Sequence, residues 1–280
     1  MPDRSCAWDA GRFTGVAVGA FALSMLVYPF AFGYAVVLLV LDAYPLRRFS
    51  AGPQFWRDAN TRRILLEKVP FALLGSLILF TLLGRLSPTD VWTTPQAMPS
   101  LSAASRVMQS CYIWTYYLWK PWAPVRLAPV YTSLISFNLY AAPFLASAGL
   151  VVALTAFLVW QRRRWPCALA LWICHLTLLA PAIGLTEHPH YPSDRYSYVQ
   201  GVLWSVLLAA GLLHLRPRPT LFVTCATVLA TLVALTGFLS LRQMRIWHDS
   251  VRLFECTLSA LGDHPYRADL HWRLGLADAR

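Results

Sequence analysis

Residues Leu139–Trp160 read LYAAPFLASAGLVVALTAFLVW, and residues 161–164 read QRRR. No charged side chain falls within the first stretch. Its length matches the roughly 20 apolar residues that a helix needs to cross a bilayer. The arginines that close it mark a membrane boundary. Similar apolar runs lie on either side. Upstream are Phe13 to Leu41, interrupted by Pro29 and Gly33, and Val69 to Leu86. Downstream are Pro166 to Leu185, Tyr198 to Leu215 and Thr220 to Leu241. The pattern predicts an all-α protein whose residues 1–241 form a polytopic transmembrane bundle of six helices. Residues 242–280 form a short helical tail.

Composition agrees with that reading. The 280-residue chain is 57% hydrophobic and only 13% charged, where a soluble domain carries roughly a quarter charged residues. So few charges cannot cover a globule's surface, but they suffice if lipid covers most of it. The net charge of +11 does not point to nucleic acid. The basic residues gather at the ends of apolar runs and do not line one polar face. Many of the 12 Trp and 12 Tyr also lie near run ends, where amphipathic rings settle at a bilayer interface. Cys167, Cys174 and Cys225 fall inside apolar runs as small hydrophobes. Cys6, Cys111 and Cys256 show no metal-ligand spacing.

Residues 87–138 break the series. They hold polar and Pro-rich stretches around CYIWTYYLWKPW (residues 111–122), which reads as an interfacial helix lying along the membrane surface. Lys and Arg in short loops set the orientation. Arg47, Arg48, Arg57, Arg62, Arg63 and Lys68 follow the first run, Arg162 to Arg164 the third, and Arg216 and Arg218 the fifth. These three loops share one side, which is therefore cytoplasmic. The tail then lies outside the cytoplasm, as does the N-terminus. A short N-terminus with no signal segment does not reach that side alone. The sequence is accordingly expected to be the C-terminal part of a longer bacterial inner-membrane protein.

In the tail, Val251, Phe254, Leu258 and Leu261 recur at spacings of three and four, one face of an amphipathic helix. Gly262 to Pro265 stop it, and a second helical pattern follows through Leu270, Leu274 and Ala277. ADLHWRLGLADA (residues 268–279) resembles the opening of a tetratricopeptide repeat. One such unit cannot bury its own apolar face, so further repeats or a protein partner must cover it.

Five strings, in order, resemble the polytopic membrane proteins with C-terminal tetratricopeptide repeats related to the TMTC protein O-mannosyltransferases, of the GT-C glycosyltransferase class. They are VVLLVLDAYPLRR (36–48), LLEKVPFALLGS (65–76), YLWKPWAPVRLAPVY (117–131), SDRYSYV (193–199) and WHDSVRLFECTL (247–258). The resemblance implies an enzyme that moves a sugar from a polyprenyl-phosphate carrier to an acceptor on the non-cytoplasmic face. Two departures stand out. The family's acidic catalytic loop would precede Met1, and where family members carry Ser-Lys-Pro this chain has Val27, Tyr28 and Pro29.

Transfer from a lipid phosphate requires cations and hydrogen-bond donors at the membrane surface to stabilise the departing phosphate. Lys120, Arg126, Asp194, Arg195, Tyr196 and Tyr198 are the candidates, all on the non-cytoplasmic side. The plainer alternative is an Arg195–Asp194 pair with tyrosines as interface anchors. No catalytic base is identifiable. Glu67 and Lys68 read as a salt bridge or interface anchors on the cytoplasmic side and Asp42 as a helix terminus. His188 and His190 have only a weak metal-ligand spacing, so neither a metal nor another cofactor is expected. His175 reads as a neutral imidazole bonded to a neighbouring helix. No Walker loop, Rossmann glycine pattern or GxSxG occurs. A non-catalytic membrane scaffold that binds partners through its repeats is the alternative function. A transporter would show paired broken helices, which are not evident.

Overall fold

The computed structural model describes residues 4–27, 33–49, 57–85, 102–122, 138–183, 196–261 and 267–278. Among these residues the regular secondary structure is all helix, with no strand. The helices are α1 (Arg4–Val27), α2 (Tyr34–Ala43), α3 (Ala59–Arg85), α4 (Ala103–Trp119), α5 (Ala142–Trp160), α6 (Pro166–Leu179), α7 (Ser197–His214), α8 (Pro219–Trp247), α9 (Ser250–Leu261) and α10 (Arg267–Asp278). Single 3-10 turns extend α4 over Lys120–Trp122 and α6 over Ala180–Ala182. Among the described residues two helices, α5 and α8, are long and apolar enough to cross a membrane.

Of the first apolar run, Phe13 to Leu41, the described residues form the end of α1, up to Val27, and α2 from Tyr34; Pro29 lies outside the described residues. The run Val69 to Leu86 is the C-terminal part of the longer α3, which carries Pro70 inside it. The aromatic segment of residues 111–122 is helical through Trp119, as its pattern predicts. α4 starts at Ser102, whose Oγ accepts from the Ser105 backbone N–H at 3.2 Å and caps the helix.

The chain divides into two compact units. The first comprises Met1–Thr89 and Ala148–Glu187, and the second Asp90–Ser147 and His188–Arg280. In the first unit α2 packs between α3 and α6, and α1 lies on α3. The α1–α3 contact centres on Phe21, Met25 and Phe71, with the two rings edge to face at 5.3 Å. α2 and α6 run antiparallel. Gly33 at the start of α2 touches the backbone of Thr177, while Val40 and Ala43 at its other end line a pocket with Pro166, Leu169 and Ala170. A methyl group on Gly33 would stand 2.6 Å from the Thr177 carbonyl oxygen, so only glycine permits this approach.

In the second unit, α4 packs its aromatic face on the start of α5. Tyr112 lies 4.9 Å from Phe144, and Thr115 Oγ1 donates to the Ser147 carbonyl at 3.5 Å. α9 and α10 pack on each other as a hairpin with Leu258 and Leu270 buried. Arg267 Nη1 donates to the Leu258 carbonyl at 3.2 Å across it.

Candidate functional site

Of the six residues that the sequence selects for a sugar-phosphate site, Lys120, Tyr196 and Tyr198 belong to the second unit. Arg126, Asp194 and Arg195 lie outside the described residues. The other three have different surroundings. Lys120 occupies the 3-10 turn that ends α4 and is only 6% exposed. Tyr196 is half-buried just before α7, and Tyr198 in its first turn is 84% exposed.

The helical period places Lys120 among rings. Tyr116 lies one turn before it and Trp119 next to it, and its Nζ stands 5.6 Å from the Tyr116 ring and 5.7 Å from the Trp119 ring. Those rings meet edge to face at 5.6 Å, and Tyr117 meets Tyr116 the same way at 5.2 Å. A buried ammonium loses its hydration, and π faces return part of that loss, on the order of 0.5–2 kcal/mol. Two residues further on, Trp122 meets Trp204 of α7 at 5.6 Å. One helical turn before Trp204, Gln200 is 1% exposed. Neither its amide nitrogen nor its amide oxygen has a hydrogen-bond partner among the described residues. An unsatisfied buried amide is costly, about 1–3 kcal/mol, unless something else bonds it.

Lys120 therefore sits in an aromatic cage. Trp122 joins that segment to α7, and α7 carries an amide with both its donor and acceptor unused. Such a set can hold a phosphate by charge, a sugar ring by stacking and a hydroxyl by the amide. The sequence reading missed Trp204 and Gln200. The available signal was a glutamine within the apolar run Tyr198 to Leu215, where a polar group needs a reason.

The first unit contains a different charged assembly. Asp42 lies in the last turn of α2 and is buried. A carboxylate there is disfavoured by the negative end of the helix dipole, so cations must offset it. Arg48 Nη1 donates to Asp42 Oδ1 at 2.9 Å, and Lys68 Nζ lies 2.8 Å from Oδ2. The second contact is a charge contact without hydrogen-bond alignment. Arg48 Nη2 also donates to Glu67 Oε2 at 2.8 Å. The hydrogen bonds from Asp42 and then Glu67 hold the Arg48 guanidinium above its ordinary pKa. Of the two roles expected for Glu67 and Lys68, the salt bridge is seen, with the two 3.7 Å apart, but the cluster centres on Asp42, which the sequence assigned only to helix termination. Leu-Asp-x-x-Pro-Leu-Arg-Arg and Leu-Glu-Lys-Val-Pro-Phe, two strings far apart in sequence, thus form one ion cluster.

His175 is buried and stacks on Trp172 at 5.4 Å. The Trp172 indole N–H donates to Thr155 Oγ1 of α5 at 3.0 Å. No group of three or more His, Cys, Asp or Glu suited to a metal occurs among the described residues. His188 and His190 lie outside them. Compared with protein-family models, curated protein sequences and solved structures, the chain matches none.

Proposed function

We propose that the chain is a membrane-embedded part of a GT-C-like glycosyltransferase that takes sugar from a polyprenyl-phosphate carrier on the non-cytoplasmic face. The membrane part of this reading draws on α8. Its apolar window has no buried position, and Leu221, Val223, Val228, Val233, Phe238 and Leu241 are exposed around it. A helix apolar on all sides and uncovered by protein needs lipid around it. Its threonines agree. Thr224, Thr231 and Thr236 donate their hydroxyls to carbonyls four residues back, at 2.9 Å each, so these three donors are satisfied within the helix. Six spans, a bacterial inner membrane and a tail of tetratricopeptide type outside the cytoplasm complete the proposal.

The observation that carries the sugar-phosphate reading is the buried Lys120 in its cage of Tyr116 and Trp119, with Trp122 against Trp204 beyond it. Lys120 and Arg195 would bind the phosphate, Arg126 would assist from the same side, and Gln200 and Tyr196 would bond the sugar. Tyr198 and Asp194 would border the entrance. The test is sugar transfer from polyprenyl-phosphate mannose in membranes that carry the longest natural form of the protein. Lys120→Gln and Arg195→Ala are expected to lower transfer at least tenfold with insertion unchanged, and Lys120→Arg to retain part of it. Full transfer by Lys120→Gln would refute the site.

One observation favours the scaffold reading. Trp272 and Leu276 on the tail hairpin are 64% and 50% exposed, an apolar edge suited to further repeats or a protein partner. Absence of transfer in the longest form, together with capture of a partner lost in Trp272→Ala, would decide for the scaffold.

A further inference from the structure

In the first unit, a cavity of about 350 Å³ opens between the C-terminal end of α2 and the N-terminal end of α6. Its wall is apolar, formed by Val40, Leu169, Ala170 and Ile173, and at its rim stand Arg47 and Arg162. No carboxylate lines it. Among the described residues neither arginine has an ion-pair partner, although Asp42 and Glu67 lie close by in the chain's fold and engage Arg48 and Lys68.

The two neighbouring arginines are sorted by the backbone. Arg48 is held by Asp42 and Glu67, its N–H donates to the Asp42 carbonyl at 2.8 Å, and its own carbonyl accepts from Asn60 Nδ2 at 2.8 Å. Arg47 takes a positive φ of 49°, a region that residues with a Cβ seldom adopt. With Arg48 fixed to the acidic pair, this conformation leaves Arg47 on the pocket side. Arg162 arrives from the turn after α5, where the Arg164 and Trp165 N–H groups both donate to the Gln161 carbonyl, at 2.9 and 2.8 Å. The pocket also abuts Pro166, the first residue of α6, and a helix N-terminus favours an anion.

We infer that this pocket binds an anionic membrane phospholipid of the cytoplasmic leaflet. The phosphate would sit between Arg47 and Arg162, with the Tyr44 hydroxyl beside it, and the first methylenes of an acyl chain would lie against Val40, Leu169 and Ile173. The occupant follows from the two chemistries of the wall. A free phosphate would leave the apolar part unused, and a neutral lipid would leave two cations without a counter-charge. The inference rests on the membrane reading above and is independent of sugar transfer.

The experiment starts from membranes washed in alkaline carbonate. Loss of the protein into the wash would overturn the membrane reading itself. Protein retained in the pellet is reconstituted in nanodiscs with phosphatidylglycerol and phosphatidylcholine in equal amounts, and co-purifying lipid is counted by native mass spectrometry. The wild type is expected to retain phosphatidylglycerol at least fivefold over phosphatidylcholine. Arg47→Gln/Arg162→Gln should remove that preference, and Ala170→Phe, which fills the groove but keeps both arginines, should reduce it. Arg216→Gln/Arg218→Gln, which lowers basic charge equally outside the pocket, should leave it intact. The proposal is overturned if both double variants lose the preference equally, if neither does, or if soluble glycerol phosphate competes as well as the lipid.

Discussion

Removing one charge tests the ion cluster most directly. Asp42→Asn keeps the side-chain volume but ends the contacts at 2.9 Å to Arg48 and 2.8 Å to Lys68. The Asp42 side chain is 4% exposed and that of Lys68 13%, so water cannot replace what is lost. Glu67 would then face Arg48, Lys68 and Arg63 alone, at 2.8, 3.7 and 3.7 Å. Removing one member of a fully buried ion pair costs about 3–5 kcal/mol. Arg48 is 38% exposed and keeps Glu67, so solvent softens its share and the expected loss is about 2–3 kcal/mol. At about 2–4 °C per kcal/mol for a unit of this size, the melting temperature in detergent should fall by roughly 4–12 °C. Lys68→Met leaves Asp42 its Arg48 bond and should cost less, about 1–2 kcal/mol. The double variant should cost less than the sum of the two, with a coupling of about 1 kcal/mol or more. A melting temperature for Asp42→Asn within about 1–2 °C of the wild type, or strict additivity in the double variant, would refute the reasoning.

Three further outcomes are expected. The pKa of Arg48 is raised in the fold by Asp42 and then Glu67, so its stabilisation is complete below the ordinary arginine value and is lost only above it. The melting-temperature difference between wild type and Arg48→Met should therefore stay constant from about pH 7 to about pH 10, and a decline over that range would contradict it. Gly33→Ala should destabilise the α2–α6 contact by about 1–3 kcal/mol, because the new methyl meets a backbone carbonyl at 2.6 Å. Gly237→Ala, with nothing within 4 Å, should be neutral or slightly stabilising, and equal effects in urea melts would count against the packing. In intact membranes a bilayer-impermeant maleimide added outside should label Cys256 but not Cys225. Both thiols are exposed on the protein, so equal labelling would argue against lipid around α8. Cys111, whose burial pushes its thiol pKa up, should react more slowly than Cys256 in detergent.

Much of the helical organisation could be read from periodicity and charge placement. α5 and α8 follow from uncharged apolar runs closed by arginines, and the α9–α10 hairpin from spacings of three and four around Val251 and Leu270. The approach of α2 to α6 was only partly legible. Pro29 and Gly33 announced an interruption, but the reason glycine stands at position 33 lies in Thr177 on another helix. The same limit applied to function. Lys120 could be chosen from its neighbourhood of Trp and Tyr, whereas Trp204 lies in an apolar run whose polar signal is Gln200.

The sequence by itself determined that most of these side chains sit in helices of largely apolar composition, and that basic residues gather at particular helix ends. Those are properties of composition and of the 3.6-residue period, and they need no partner. Only the tertiary structure decided that Asp42 belongs with Lys68, that Arg47 and Arg48 serve different clusters, and that Arg162 meets Arg47 across an apolar pocket. An ion pair or a groove is a relation between segments distant along the chain, fixed by how α2 packs on α3 and α6, and no local pattern encodes it.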